Sequence, residues 1–307
     1  MNRRTTIGLF GSTGFIGSYI LKELLHVEYA VNVLVRDPVV NKSDKIEVFA
    51  GDLSAADVIE RIVKKSDILI YAVGIIREDR KRGITFEKLH FEYFKRIVDL
   101  AKKENVRKII YISANGVDQL DTEYQTSKYL AEQYLQNNFD NWIIFRPSVV
   151  FGDPGNKMEF LTQLKNDIIN KPLPVPLFFK ANPFKVRRFF RSNPVHVQDL
   201  VTLIVRSLAS DISRNKIHSV GGPTETTWYS MLKEISAVMS KNKPFVPVPV
   251  FFLYLAALIF DRLPFFPITA AQIKMLKTDN ICNSEELFNQ YDISPTSFSK
   301  MNIKYLE

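Results

Sequence analysis

A short stretch near the start of the chain, GLFGSTGFIGSYILKELL (residues 8–25), constrains the fold more than any other part of the sequence. Residues 5–11 form a short apolar run that ends in glycine, which predicts a strand. Between residues 15 and 25 the apolar residues recur at helical spacing, which predicts a helix. A strand, a glycine-rich turn and a helix in this order predict the first unit of a nucleotide-binding α/β domain.

Three glycines occupy the turn between this strand and this helix. Gly11 permits a tight turn, Gly14 lets the backbone approach a pyrophosphate, and Gly17 allows close packing of the helix on the strand. The helix start also offers free N–H groups and a partial positive charge to phosphate oxygens. We therefore predict a dinucleotide site at this turn. Its predicted contact residues are Gly11, Ser12, Thr13, Gly14, Phe15, Ile16 and Gly17.

Strand and helix patterns alternate through the rest of the first half. Further strands are predicted at residues 30–36, 45–53, 67–74, 106–113 and 141–148. Further helices are predicted at residues 54–65, 86–103 and 123–137. This βαβ repetition predicts a Rossmann-type α/β fold, a doubly wound parallel sheet that binds ligands beyond the carboxyl ends of its strands.

The regular alternation stops near the middle of the chain. We expect an NAD(P)-binding Rossmann domain at residues 1–150 and a smaller, mixed C-terminal lobe at residues 151–307, which binds a substrate or a partner. The chain is expected to return to the first domain around residues 194–220.

The ends of the next strands supply further candidate contacts to the nucleotide. Arg36 ends the second strand, where an arginine suits a 2′-phosphate, so it favours NADP(H) over NAD(H). The adjacent Asp37 makes this preference less clear, because an acidic residue here suits the ribose hydroxyls instead. The alternative is that Arg36 is only a surface arginine. Asp52 closes the third strand, where it either meets the adenine amine or only caps the following turn. The remaining candidates at strand ends are Leu53, Ala72, Val73 and Gly74.

The stretch YISANGVDQLDTEYQTSK (residues 111–128) places a tyrosine and a lysine on one helix face, because Tyr124 and Lys128 are four residues apart. In a nicotinamide-dependent reductase such a phenol exchanges a proton with the substrate oxygen, while the ammonium lowers the phenol's pKa and holds the nicotinamide ribose. Chance gives about one such spacing in a chain of this composition, and Tyr229 with Lys233 repeats it. Only the first pair follows a strand at the predicted cofactor edge, so we predict that Tyr229 is a packing residue.

The second half carries two unusual stretches. Residues 171–200 are rich in proline, aromatic and basic residues, and Arg187, Arg188 and Arg191 either clamp a substrate phosphate or meet an acidic protein or lipid surface. Residues 247–260 are the most apolar of the chain but too short to span a bilayer, which needs about 20 residues. They predict either a buried core helix or a helix that contacts a membrane.

The composition excludes several classes of protein. Cys282 is the only cysteine, so no internal disulfide can form and a reducing compartment is expected. The four histidines have no cysteine partners, so no metal site is predicted. The net charge of +8 favours phosphates, anionic lipid or an acidic protein face, but nucleic-acid binding is not predicted because an RNP-type motif is missing.

The N-terminal residues have no apolar signal segment, and no stretch of the sequence is long enough for a transmembrane helix. We therefore expect a cytoplasmic protein in a bacterial cell, either free or in peripheral contact with the inner membrane.

Together these motifs resemble the extended and atypical short-chain dehydrogenases/reductases. The resemblance covers nearly the whole chain and rests on FGSTGFIG, GDL (51–53), the Tyr-x-x-x-Lys spacing, FRPSVVFG (145–152) and PVHVQDL (194–200). It implies that Tyr124 and Lys128 are catalytic together with Ser113. It also implies that Pro147 borders the nicotinamide, and Val149, two residues later, is a further candidate contact to the cofactor.

The order Ser113, Ala114, Asn115 departs from the pattern of that family. Its members usually carry a second serine directly after the strand-end serine, where it polarises the substrate carbonyl, and Ala114 cannot donate a hydrogen bond. Ser113 or Asn115 takes this role only if the loop turns it inward. The proton-donor pair is therefore present, while its partner on the carbonyl side is not assured.

A narrower resemblance comes from the C-terminal part. Residues 221–236 (GGPTETTWYSMLKEIS) and 268–282 (ITAAQIKMLKTDNIC) are similar to the Rossmann-fold accessory subunit of respiratory complex I and its bacterial relatives. This resemblance implies a nucleotide held as a structural element in a subunit of a membrane respiratory complex. The alternative is a soluble NADP-dependent oxidoreductase, epimerase or dehydratase that acts on a sugar nucleotide or a small carbonyl compound.

Overall fold

The structure is a computed structural model, and it describes residues 4–37, 44–179, 190–251, 270–276 and 278–307. The chain divides into two compact units. The first unit comprises Met1–Arg146 and Leu200–Ser219, and the second comprises Pro147–Asp199 and Val220–Glu307.

The elements of the described residues are named in chain order. The strands are β1 (Thr6–Phe10), β2 (Ala30–Val35), β3 (Ile46–Ala50), β4 (Ile68–Tyr71), β5 (Lys108–Ile112), β6 (Trp142–Pro147), β7 (Val150–Phe151), β8 (Val175–Phe179), β9 (Arg191–Ser192), β10 (Val195–His196), β11 (Lys216–Val220), β12 (Thr226–Thr227) and β13 (Phe245–Pro249). The α-helices are α1 (Phe15–His26), α2 (Ala56–Lys64), α3 (Tyr93–Lys103), α4 (Glu123–Asn138), α5 (Phe160–Leu164), α6 (Val197–Leu208), α7 (Trp228–Val238), α8 (Ala270–Met275) and α9 (Glu285–Gln290).

The main sheet has seven described strands in the order β11-β6-β5-β4-β1-β2-β3. Every neighbouring pair among β1 to β6 is parallel. The predicted Rossmann-type sheet is therefore confirmed. The strand order changes direction at β1, and ligands of such folds bind at the carboxyl ends of the strands around this point.

Apolar runs in the sequence become the buried strands of this sheet. All four residues of β4 and all five of β5 are buried, as expected for strands covered by helices on both faces. Helix α3 contributes Phe94, Ile97, Val98 and Ala101 to the same hydrophobic core. The carboxyl ends of these strands are held in fixed positions by that packing.

The helix predicted at residues 86–103 is only partly an α-helix. A π-helical turn, Glu87–Glu92, precedes α3. The carbonyl oxygen of Leu89 in this turn accepts a hydrogen bond from the hydroxyl of Tyr71 on β4. Such wide turns are rare and often lie at functional sites.

In the second unit, one buried amide joins the two segments that carry the narrower resemblance. Nδ2 of Asn193 donates to the carbonyls of Gly222 (3.0 Å) and Cys282 (2.6 Å), and its Oδ1 accepts from the N–H of Cys282 (3.0 Å). Gly222 has no room for a side chain, because a Cβ atom there would lie 1.9 Å from the carbonyl oxygen of Pro194.

The apolar stretch 247–260 begins in strand β13, which pairs in parallel with β8. Its interpretation as a core helix or a membrane-contacting helix concerns mainly residues 252–260, which lie outside the described residues. Among the helices that the structure describes, none combines the length and the apolar character needed to cross a membrane.

Candidate functional site

The glycine turn between β1 and α1 is closely packed at two of its three glycines. Gly11 has a φ of 91°, and a Cβ atom there would lie 2.8 Å from the backbone carbonyl of Ala72. A Cβ atom on Gly17 would lie 2.0 Å from the carbonyl oxygen of Gly11. The close approach at Gly17 is thus to the backbone of the turn itself, and both positions require glycine.

The start of α1 has groups that suit the phosphates of a dinucleotide. Gly14 is its N-cap in an extended conformation, no side chain of the described residues caps the helix, and its first turn contains no acidic residue. The N–H groups of that turn therefore lack a side-chain acceptor. Ser12 is buried, and within the described residues its hydroxyl has no hydrogen-bond partner. Thr13 and Gly14 are exposed, whereas Phe15 and Ile16 are half-buried.

At the end of β2, Arg36 is exposed to solvent. The structure shows no ion pair of its guanidinium with any described residue. The side chain is therefore available to a ligand phosphate. Its positive charge contributes to the lowered pKa of the Asp52 carboxyl.

The carboxylate of Asp52 is occupied by the turn that follows β3. Its Oδ1 accepts hydrogen bonds from the N–H (2.7 Å) and the hydroxyl (2.5 Å) of Ser54, and these bonds are the main cause of its lowered pKa. Of the two interpretations of Asp52, the turn cap is the one that these contacts support. The helix predicted at residues 54–65 starts later than expected, because the N-cap of α2 is Ala55. The side chain of Leu53 lies in the hydrophobic core.

The end of β4 brings the predicted wall of the cofactor close to the predicted catalytic lysine. The N–H of Ala72 donates to the carbonyl of Phe10 on β1 at 2.9 Å. Val73 packs against the hydrophobic core, and Gly74 is exposed. A Cβ atom on Gly74 would lie 3.8 Å from Nζ of Lys128. Candidates chosen from separate motifs therefore meet at one place.

Helix α4 is fixed at its first turn by a reciprocal cap. Thr122 is its N-cap, and its hydroxyl oxygen accepts from the N–H of Gln125 at 3.2 Å. The same hydroxyl donates to Oε1 of Gln125, whose Nε2 donates to the carbonyl of Gly116. This arrangement resembles a capping box and holds Tyr124 at the start of the helix.

Lys128 lies one turn further along α4 and is buried, with 3% of its surface exposed. Its Nζ donates to the carbonyl of Ile112 at the end of β5 (2.9 Å) and lies 5.2 Å from the centre of the Tyr111 ring. Burial lowers the pKa of Lys128 to about 8, and the negative charge of Glu132 acts in the opposite direction. The amine is therefore mostly charged at neutral pH.

The ring of Tyr124 is held by two other rings. Phe86 meets it edge-on with a centroid distance of 5.6 Å, and His90 meets it edge-on at 5.4 Å. Burial raises the pKa of Tyr124, so the phenol keeps its proton at neutral pH. Chemically, this phenol is suited to donate a proton to a substrate oxygen.

Ser113 follows β5 and points into the protein. It is 4% exposed, and its N–H donates to the carbonyl of Phe145 at 2.7 Å. Among the described residues its hydroxyl, like that of Ser12, has no hydrogen-bond partner. Unpaired buried hydroxyls are uncommon, so these two fit a site that is completed by a bound molecule. Asn115 and Ala114 are only half-buried.

The other predicted residues lie in the second unit. Pro147 is buried at the end of β6, and Val149 packs against the hydrophobic core of that unit. Tyr229 also packs in this unit, edge-on to Phe245 at 5.4 Å. Arg191 is already paired, because it binds Asp279 at 2.7 Å and lies 3.6 Å from Glu225. Arg187 and Arg188 fall outside the described residues.

Sequence reasoning missed three residues around this site, namely the buried Glu132 and His90 and the half-buried Arg146. Glu132 is fully buried and forms three hydrogen bonds with Arg146, at 2.6 to 3.2 Å. His90 contacts the ring of Tyr124. Glu132 continues the four-residue spacing of Tyr124 and Lys128, so that pattern could have revealed it, whereas no local signal marks His90.

The comparisons with known proteins agree with this geometry. The profile of the NAD(P)H-binding family matches residues 11–169. The 40 kDa subunit of NADH-ubiquinone oxidoreductase from Neurospora crassa is 24% identical, over 98% of this chain and 79% of its own length. The UDP-glucose 4-epimerase of Vibrio cholerae is also 24% identical, over 84% of this chain and 83% of its own length.

A solved structure shares the fold. It is a short-chain dehydrogenase/reductase superfamily protein from Agrobacterium tumefaciens with bound NAD, at 14% sequence identity and a TM-score of 0.69. The match covers 97% of this chain and 94% of the other.

Proposed function

The chain belongs to the NAD(P)H-binding family, and from this premise we propose that it holds a nicotinamide dinucleotide as an accessory or assembly subunit of a respiratory NADH:quinone oxidoreductase. In this proposal the bound nucleotide is mainly a structural element, and turnover is slow or absent. The observation that carries the proposal is the site after β5, where the Tyr124–Lys128 pair is present but Ala114 replaces a donor on the carbonyl side.

Similarity along the whole chain supports the subunit part of this proposal. The match to the Neurospora subunit extends over 98% of this chain and therefore includes the second unit. That unit contains the two segments joined by Asn193, which carry the narrower resemblance.

The second unit also has exposed apolar side chains before β8, within β13 and just after β13. Leu173 is 66% exposed, Val246 is 42% exposed and Phe251 is 62% exposed. Exposed apolar groups of this size are common where a partner binds. Lys171 beside them is exposed too, and a basic residue suits an acidic partner or an anionic membrane surface. We propose that these residues contact the membrane-bound complex, with peripheral contact to the inner membrane.

The test is a Tyr124→Phe variant in a strain that lacks the native chain. Under this proposal the variant restores function nearly as well as the wild type, and both co-migrate with a large complex on native gels after mild detergent extraction. A working enzyme would instead lose the roughly 10²–10⁴-fold contribution of general acid catalysis. Tyr229→Phe is the matched control, because Tyr229 has the same spacing to a lysine but only packs against Phe245.

The competing function is a soluble oxidoreductase, epimerase or dehydratase acting on a sugar nucleotide or a small carbonyl compound. The protonated Tyr124 and the buried, unpaired hydroxyl of Ser113 favour it, as does the similarity to an epimerase. A Tyr124→Phe variant that is folded and nucleotide-bound but fails to complement would establish this reading. A wild-type chain that migrates only as a small species would also reject the subunit proposal.

The preferred cofactor is NADP(H) in this proposal, because the exposed guanidinium of Arg36 follows β2. NADPH should bind wild type more tightly than NADH, and Arg36→Asp should weaken NADPH binding by roughly 1.5–3 kcal/mol through loss of a charge-assisted contact. Calorimetric titration of both nucleotides measures this. Arg214→Asp, at another exposed position of the first unit, controls for the general effect of charge. Equal affinities of wild type for the two nucleotides would remove Arg36 from the site.

A further inference from the structure

His90 is the one fully buried histidine among the described residues, and neither the glycine turn nor the Tyr–Lys pair accounts for it. It lies in the π-helical turn Glu87–Glu92. A buried imidazole needs partners for both ring nitrogens, and His90 has both. One partner lies after β4, and the other lies on α4.

These two contacts determine which nitrogen carries the proton. The backbone N–H of Ile75 donates to Nε2 of His90 at 3.2 Å, so Nε2 must present its lone pair. The proton therefore lies on Nδ1, which is 2.9 Å from the hydroxyl oxygen of Ser127 and donates to it. The hydroxyl of Ser127 in turn donates to the carbonyl of Tyr124 at 3.0 Å. A directed series of hydrogen bonds thus runs from the end of β4 to the first turn of α4.

Ring packing also joins the π-helical turn to the first turn of α4. The Phe86 ring stacks on the His90 imidazole with a centroid distance of 5.5 Å, and the ring of Tyr124 stands perpendicular to both. The imidazole therefore contacts Tyr124 by ring packing and, by way of Ser127, through the backbone.

We propose that His90 is a positioning residue, which fixes the wall after β4 against the tyrosine-bearing turn of α4 and so sets the place of the nicotinamide relative to the Tyr124 phenol. This inference rests on the proposed nucleotide site. Ile75 directly follows Ala72, Val73 and Gly74, which form the predicted wall of the cofactor site. Loss of the hydrogen bonds of His90 to Ile75 and Ser127 should displace the nicotinamide end of the ligand. The adenosine end, at the glycine turn, should bind as before.

The charge state of His90 is consistent with this role. Burial lowers its pKa to about 2, and the positive charge of Lys128 acts in the same direction. The titratable side chains that face it are those of Lys128 and Tyr124 on α4. A proton added to Nε2 would confront the N–H of Ile75, donor against donor, so the contact exists only with the neutral ring.

The first test uses ¹⁵N-histidine labelling and NMR of the full chain with NADPH bound. The His90 signals, assigned by their loss in His90→Asn, should show the neutral tautomer with its proton on Nδ1 and should not titrate between about pH 5 and pH 8. A proton on Nε2, or a titration near the ordinary pKa of histidine, would overturn the proposal.

The second test compares NADPH with 2′,5′-ADP, which lacks the nicotinamide half. His90→Phe should weaken NADPH binding by about tenfold, the effect of losing one or two neutral hydrogen bonds, and leave 2′,5′-ADP binding unchanged. His90→Asn, which retains a donor and an acceptor, should recover most of the NADPH affinity. His218→Phe is the control, because His218 stacks on Phe145 in the same unit.

Binding of NADPH and of 2′,5′-ADP distinguishes failure of the proposed nucleotide site from failure of the proposed role of His90. If wild type binds neither ligand, the nucleotide site itself is wrong. If wild type binds both ligands and His90→Phe weakens both equally, the role of His90 is only to stabilise the fold. If His90→Phe binds both as wild type does, the positioning role is rejected.

Discussion

Replacing Gly14 with alanine should abolish tight nucleotide binding in a protein that still folds, whereas the same change at Gly17 should strongly destabilise the fold. At Gly17 the new methyl carbon would lie 2.0 Å from the carbonyl oxygen of Gly11, and this backbone atom cannot yield without opening the turn. Overpacking of this severity should destabilise the chain by about 3 kcal/mol or more.

At Gly14 the new methyl carbon would lie 3.3 Å from the same carbonyl oxygen, and the backbone there has a φ of −75°, which alanine adopts readily. A shift of a few tenths of an ångström accommodates it, so the free energy of unfolding should change by less than about 1 kcal/mol. The methyl group nevertheless stands where the backbone of a glycine motif approaches the pyrophosphate. We expect NADPH affinity to fall by about 100-fold, which corresponds to about 2.7 kcal/mol.

Urea denaturation and calorimetric titration of both variants distinguish the two roles of glycine. Gly14→Ala with unchanged affinity would show that the phosphates bind elsewhere. Gly17→Ala with an unfolding midpoint equal to that of the wild type would show that the turn relaxes more easily than its geometry indicates.

Replacing Glu132 with alanine should destabilise the first unit by about 3–5 kcal/mol, because it leaves the charge of Arg146 without its buried partner. The carboxylate of Glu132 is fully buried and the Arg146 side chain is 11% exposed. Asp118→Ala is the matched control. Asp118 binds the same guanidinium at 2.8 Å, but its side chain is 54% exposed, so its loss should cost less than about 1 kcal/mol.

Urea denaturation of the two variants, followed by circular dichroism, gives the comparison. The double variant Glu132→Leu with Arg146→Met should recover much of the lost stability, since it removes both charges and keeps the volume. Equal effects of Glu132→Ala and Asp118→Ala would mean that burial does not decide the strength of this ion pair.

The parts of the site that sequence predicted are those whose signal is local. The glycine turn and the Tyr124–Lys128 spacing each lie within a few residues, and alternating apolar runs were sufficient to predict the parallel sheet. The predicted binding of a nicotinamide dinucleotide agrees with the match to the NAD(P)H-binding family over residues 11–169. The preference for NADP(H) and the roles of the individual site residues stay predictions.

The parts that sequence did not predict depend on contacts between distant residues. His90 meets Ser127 across 37 positions, and Arg146 meets Glu132 from another element. The occupied carboxylate of Asp52 depends on a turn conformation, and the pairing of Arg191 depends on Asp279, 88 positions away. Periodicity within a segment contains no information on such partners.

The hydrogen bonds of the Asn193 side chain determine how early the second unit can fold during synthesis. The amide of Asn193 accepts a hydrogen bond from the N–H of Cys282 and donates one to the carbonyl of Cys282, which lies 89 positions later in the chain. Burying an amide without hydrogen-bond partners destabilises a fold. The amide of Asn193 cannot form both of its bonds to Cys282 until the ribosome has synthesised nearly the whole chain. The first unit receives its last segment at Ser219 and can form earlier, since domains generally fold as units during translation. The second unit should therefore fold late, and chains that end before Cys282 should be recognised by proteases in a half-folded state.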